Sequence, residues 1–339
     1  MGMQVGPDGS LRPKVGFLTK KIPQCEELDR PGMPTCVVEE YDPLLDSSDM
    51  GPADWIKIAK TVETNYALYS GFVVIHGTDT MAYTASALSF MFTNLCKPVV
   101  LVGSMLPFGD VHSDARRNLA CAILIAGGIH TKCASPNGCF LIPEVSIFFN
   151  DRLLRGNRAT KIDSASFAAF DSPNCAPLAI MGTSLVVREH GHTSFINNEV
   201  EKKFAVNTDL ETKIVVIRLV PGFTDLDSLV SSDVAGIVLQ LYGTGNAPIR
   251  KTGFINWVKK LVDRNVLVVA CSQCLRGRVS LEDYAVGKQL HDIGVVSAMD
   301  MTTEATVTKM AHLLGTKAPI EKIRNDMQTS IRGELTPHT

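Results

Sequence analysis

Thr78 and Asp79 place a hydroxyl beside a carboxylate at the tip of an apolar strand, within GFVVIHGTDTMAYTASALSFMF (71–92). A hydroxyl near neutral pH is a weak nucleophile, and it attacks only with a base beside it and a site for the oxyanion. A carboxylate in the first turn of a helix also sits well against the positive end of the helix dipole. Asp79 therefore also reads as a helix cap and Thr78 as a turn residue, the reading that spacing alone favours. Catalysis needs more than spacing to support it.

The elements around the pair are easier to read. The helical pattern after Thr78 puts Met81, Ala85, Leu88 and Phe92 on one face, which predicts an amphipathic helix packed on a sheet. Apolar runs recur at 71–76, 97–104 and 144–149, then again at 213–222, 235–245, 265–273 and 294–302. Continuous Val/Ile/Leu runs without alternation are expected of strands buried on both faces, and their spacing leaves room for crossover helices. The predicted fold is α/β with two domains. The larger N-terminal domain (1–187) carries a mostly parallel sheet with flanking helices; a smaller parallel α/β domain spans 213–339. A polar linker over 188–212 separates them. In such folds ligands bind where strands end, and His76-Gly77-Thr78-Asp79, Gly103-Ser104, Gly243-Thr244-Gly245 and Asp300-Met301-Thr302 punctuate strand ends.

Bulk properties narrow the class. A length of 339 residues exceeds what one hydrophobic core usually spans, which favours two domains. The formal charge of -2 carries no basic excess, so no nucleic-acid partner is expected. No apolar run approaches the roughly 18 residues that cross a bilayer, so no membrane partner is expected. The opening MGMQVGPDGSLRPK lacks the apolar core of a secretory signal, and Gly2 lacks a myristoylation context. Nine cysteines are an odd number, and Cys96, Cys121 and Cys271 lie within or beside apolar runs. That pattern predicts reduced thiols in a cytoplasmic protein. CSQC (271–274) ends an apolar strand without a second pair and reads as structural or site-lining. CASPNGC (133–139) lies in a turn-rich loop where a disulfide or a metal has no further support.

The string HGTDTMAYTASALSFM resembles the signature of the L-asparaginase family, in its cytosolic type I branch. Other matching strings follow in family order: PLLDSSDM (43–50), KPVVLVGSMLP (97–107), SDARRNL (113–119), FFNDRLLRGNRATKID (148–163), YGTGNAP (242–248), DMTTEATVTKM (300–310) and SIRGELTP (330–337). The resemblance implies hydrolysis of L-asparagine to aspartate and ammonia through an acyl-threonine, with no metal or organic cofactor. It maps a catalytic cluster onto Thr78, Asp79 and Lys161. It implies substrate contacts from Asp79, Thr78 and the loop Asp46, Ser47, Ser48. L-glutamine is expected as a second substrate, because one methylene changes binding by only about 1–3 kcal/mol. A homodimer or homotetramer is implied, as family sites lie at a subunit interface. A regulatory asparagine site would draw on Thr160, Tyr242, Ser272, Gln273 and Cys274, although Gln240 stands where the bacterial form has arginine. His76 gains no role from the resemblance and reads as a satisfied core residue.

Two departures carry expectations of their own. Type I members open with a strand and TGGTIGM, whose threonine is the primary nucleophile; here Gly2-Met3 align with the motif's last two letters. The alignment implies an N-terminal domain without its first strand and nucleophile motif, and hence impaired turnover. An incomplete chain, a short isoform acting as a non-catalytic asparagine-binding or regulatory subunit, and Thr78 as sole nucleophile each account for it. The second departure is a longer connection at 127–145, whose extra residues (129–141) read as a surface loop.

Overall fold

A computed structural model describes residues 1–128, 142–188, 203–222, 226, 230–249 and 253–337. The expected insertion at 129–141, with Cys133 and Cys139, and residues 189–202 of the expected linker lie outside the described residues. The chain divides into two compact units, Met1–Asn207 and Thr208–Thr339.

The first unit is built on a six-stranded sheet. Strands β1 (Phe72–Ile75), β2 (Val99–Val102) and β3 (Val145–Phe149) run parallel, with Ile75 opposite Val102 and Val102 opposite Phe148. Val99, Val100, Leu101 and Val102 are wholly buried, as a continuous apolar run demands. The sheet then reverses direction. Asn150 and Asp151 both adopt positive φ, 46° and 60°, which suits a tight hairpin because that twist matches the flanking strands. Strand β4 (Arg152–Arg155) therefore returns antiparallel to β3. A short hairpin of β5 (Thr160–Lys161) and β6 (Phe170–Asp171) follows. Strands β7 (Ala179–Met181) and β8 (Leu185–Val187) then extend the main sheet antiparallel, giving the order β8-β7-β4-β3-β2-β1. The sheet is thus mixed; the parallel half was visible as apolar runs, whereas RLLR and AIM carry no such run.

Helix α1 (Pro52–Asn65) follows the Asp46–Ser48 loop, α2 (Met81–Met91) follows Thr78-Asp79, and α3 (Ala115–Ala126) follows β2. Helix α2 is buried on nearly every side, from Met81 to Met91 with Tyr83 excepted, so it is a core helix and not the amphipathic one predicted. Phe92 lies beyond its end in extended conformation.

The second unit holds four parallel strands in sequence order: β9 (Ile214–Arg218), β10 (Gly236–Leu241), β11 (Leu267–Ser272) and β12 (Val296–Ser297). Alternation along β10 sends Ile237, Leu239 and Leu241 toward α4 (Phe254–Asp263), and Val238 toward the core that holds Met310, Leu313 and Met327. Helix α5 (Ala285–Asp292) adds Leu290 to the first of these cores. The second is closed by α6 (Thr303–Gly315) and α7 (Ile320–Gln328). Both faces are covered, which is why these strands read as unbroken apolar runs.

Cys96 departs from the expectation of reduced thiols: it is disulfide-bonded. Cys25, Cys36, Cys121, Cys175, Cys271 and Cys274 are free, so CSQC holds no bridge. Among the described residues no group of three or more His, Cys, Asp and Glu side chains is placed to hold a metal ion. No helix among them is long and apolar enough to cross a membrane.

His312 on α6 makes the second unit acid-sensitive. Burial, reinforced by the Arg332 and Lys309 cations, pushes its imidazole down to about 4. The unfolded chain takes up that proton near the ordinary value of about 6.5. Between these values the unfolded state binds more protons, so stability is present above about 6.5 and is lost as pH falls toward about 4. Urea unfolding at about pH 7.5 and about pH 5 should therefore cost the parent roughly 2 kcal/mol more than His312→Gln. Equal losses in the two proteins would remove His312 as the cause.

Candidate functional site

The strand β1 ends at Ile75, and His76 continues its ladder by donating from its backbone nitrogen to the Val102 carbonyl at 2.9 Å. The chain then breaks from the sheet through Gly77, Thr78 and Asp79 before α2 begins. Two close approaches fix this turn. A Cβ on Gly77 would meet Ser47 Oγ at 2.3 Å, and a Cβ on Gly103 would meet the His76 carbonyl at 2.8 Å and Thr78 Cγ2 at 3.2 Å. Only glycine lets the Ser47 loop and the end of β2 come so near. The Thr80 hydroxyl donates to the Ser47 carbonyl at 2.6 Å, clamping that loop to the start of α2.

Lys161 arrives from the other side. After β4 the chain makes a short 3-10 turn, Gly156–Arg158, against α2, where a Cβ on Gly156 would sit 3.1 Å from Ala85 Cβ. Lys161 then pairs with Phe170 across the β5–β6 hairpin. Arg152 holds that hairpin by donating to Asp171 Oδ1 at 2.9 Å and to the Phe170 carbonyl at 2.7 Å. The Phe170 ring packs on Phe149 with centroids 5.0 Å apart.

From this position Lys161 Nζ donates to Thr78 Oγ1 at 2.9 Å and to Asp79 Oδ1 at 2.7 Å. The Lys161 side chain is 20 % exposed and that of Asp79 is 68 % exposed. Asp79 is not a helix cap: the N-cap of α2 is Thr80, which makes no side-chain capping bond. A hydroxyl, an amine and a solvent-facing carboxylate thus converge from segments far apart in sequence. That set can move a proton off a hydroxyl onto an amine, beside a carboxylate free to bind a cation.

Both halves of the chain match known families. Residues 1–192 match the family model described as asparaginase, N-terminal, and residues 213–327 match the glutaminase/asparaginase C-terminal domain. The chain belongs to the asparaginase family. It is 40 % identical to L-asparaginase 1 of Escherichia coli K12, covering 99 % of this chain and 95 % of that protein. It is 42 % identical to an L-asparaginase of Dirofilaria immitis over 88 % of this chain and 48 % of that protein. The crystal structure of L-asparaginase I from Vibrio cholerae superposes with a TM-score of 0.87 at 40 % identity, covering 99 % of this chain and 96 % of that one.

In this asparaginase-family chain, Thr78, Asp79 and Lys161 come together, and Ser47 reaches the Gly77 backbone beside them. Asp46 and Ser48 are tied to one another: the Ser48 backbone nitrogen and hydroxyl both donate to Asp46 Oδ1, at 3.0 and 2.9 Å. Of the expected regulatory set, Thr160 is buried on β5 in the first unit. Tyr242, Ser272, Gln273 and Cys274 gather at the ends of β10 and β11 in the second. There Ser272 Oγ donates to the Gly243 carbonyl at 2.7 Å, and Gln273 Nε2 donates to the Leu219 and Gln240 carbonyls at 2.7 and 2.9 Å. The sequence marked Gly77 and Gly103 at strand ends but not the close approaches they permit, and it carried no signal for Thr84.

Proposed function

We propose that this protein hydrolyses the side-chain amide of L-asparagine to L-aspartate and ammonia through an acyl-threonine intermediate. The observation that carries the reading is the single Lys161 amine within hydrogen-bond reach of both Thr78 Oγ1 and Asp79 Oδ1. When neutral, Lys161 Nζ takes the threonine hydroxyl proton, and Asp79 steadies the ammonium that forms. The proton passes to the departing amide nitrogen, ammonia leaves, and water then splits the acyl ester. The exposed side of the Asp79 carboxylate binds the substrate's α-ammonium through a charge-assisted bond. Ser47, with Ser48 held by Asp46, offers hydroxyls to the α-carboxylate.

We further read the enzyme as a cytoplasmic homo-oligomer, dimeric or tetrameric. Six free cysteines among the described residues favour a reducing compartment, and the disulfide at Cys96 counts against it. L-glutamine is the expected weaker substrate. The regulatory asparagine site is proposed at Tyr242, Ser272, Gln273 and Cys274 in the second unit.

Lys161→Met keeps the apolar stem of the side chain and removes the base. Ammonia release from asparagine should fall by about 10²-fold or more. A rate within a few-fold of the parent would take Lys161 out of the mechanism. An asparagine-binding protein without turnover would instead give a calorimetric binding signal and no ammonia from the folded parent.

A further inference from the structure

We propose that His76 is a positioning residue for the Thr78–Asp79 turn: its imidazole, fixed as the Nδ1–H tautomer, bridges the Gly77 carbonyl to the Thr84 hydroxyl on α2. The proposal rests on reading Thr78, Asp79 and Lys161 as the reactive cluster.

The tautomer follows from the partners. His76 Nδ1 lies 2.6 Å from the Gly77 carbonyl oxygen, which can only accept, so Nδ1 carries the proton. Nε2 lies 2.8 Å from Thr84 Oγ1, and in the neutral ring it accepts while the hydroxyl donates. Burial pushes the imidazole below its ordinary value, which favours that neutral ring. His76 and Thr84 are both buried, so solvent is kept from the bond between them, whereas the bond to the Gly77 carbonyl is part-buried.

The turn needs this restraint. Gly77 has the widest backbone freedom of any residue type, and it stands immediately before Thr78. Rotation of the peptide that carries the Gly77 carbonyl would swing Thr78 Oγ1 away from Lys161 Nζ. Ser47 limits Gly77 from one side by close approach, and His76 holds its carbonyl from the other. His76 also bonds to β2 through its backbone, so strand end, turn and helix are joined at one ring. An apolar residue at 76 would fill the space but leave the Gly77 carbonyl without its side-chain donor and the buried Thr84 hydroxyl without its partner.

Four full-length variants test the idea by ammonia release per folded protein. His76→Gln, which has no donor at the Nδ1 position, should lower kcat about 10- to 100-fold while KM changes less, since a misplacement of about 1 Å costs on that order. His76→Asn puts an amide nitrogen where Nδ1 was and should recover to within about fivefold of the parent. Thr84→Val removes the donor to Nε2 and should fall between them. Nitrogen-15 spectra of the parent should show a neutral Nδ1–H ring, a readout that needs no turnover.

Thr78→Val, in the same assay, reports on the cluster itself. Retained turnover there would overturn the cluster reading and leave the tautomer to be judged by its spectrum. With Thr78→Val inactive, a His76→Gln enzyme at parent kcat would overturn the positioning role, as would an Nε2–H spectrum. Were His76→Gln not to fold, the Thr84→Val rate and the parent spectrum decide the matter.

Discussion

Thr78→Val is expected to reduce ammonia release from asparagine below about a thousandth of the parent rate, with the protein still folded. Valine keeps the shape of threonine, including the Cγ2 methyl that lies near Gly103. It removes only the hydroxyl that Lys161 Nζ reaches at 2.9 Å. The magnitude follows from groups that act as a unit: losing one member of a hydroxyl–base pair leaves the other with nothing to exchange a proton with. Substrate should still bind, because the Asp79 carboxylate and the Ser47 loop are untouched, so calorimetry with asparagine should show affinity within a few-fold of the parent. Retained turnover would remove Thr78 from the chemistry. Peptide mapping of the quenched parent separates two roles for this hydroxyl. Acyl label on Thr78 makes it the attacking oxygen, and label on another threonine makes Thr78 the relay that feeds Lys161.

The parallel strands were legible because burial on both faces leaves only apolar residues, and Val99 to Val102 or Leu267 to Ala270 allow little else. The antiparallel half was not, since RLLR in β4 has charges at both ends, and its arginines are used to grip neighbouring segments. Asn150-Asp151 was a readable hairpin turn that the apolar-run criterion passes over. The site divides in the same way. Thr78-Asp79 stood out locally, whereas Lys161 lies 83 residues from Thr78 and was found only through the family string. No spacing rule links such positions; the contact depends on Gly156 letting a turn sit against Ala85. The helix-cap reading of Asp79 was physically sound and failed because Lys161, coming from another segment, takes the carboxylate instead.

Lys309→Met is expected to cost the second unit about 3–5 kcal/mol, the range for breaking one half of a buried ion pair. Lys309 is fully buried on α6 and pairs with the fully buried Glu334, Nζ to Oε1 at 2.5 Å. Its amine also donates to the Met327 and Thr329 carbonyls, at 3.0 and 2.6 Å. The Glu334 carboxylate accepts from the backbone nitrogens of Ile331 and Arg332, at 3.0 and 2.7 Å. These bonds fasten the segment after α7 onto α6 through one cation and one anion. Methionine matches the stem of lysine but takes the Lys309 ammonium away from the buried Glu334 carboxylate. The loss therefore includes the burial cost of the Glu334 charge as well as the missing attraction. Lys309→Met combined with Glu334→Gln tests that distinction, because glutamine removes the charge and still accepts from Ile331 and Arg332. The double variant should recover at least about 2 kcal/mol of the single loss, and a double-mutant cycle on urea unfolding reads that coupling directly. If Lys309→Met alone cost less than about 1 kcal/mol, or if the two losses simply added, the segment would be held by the Ile323, Met327 and Leu335 packing instead.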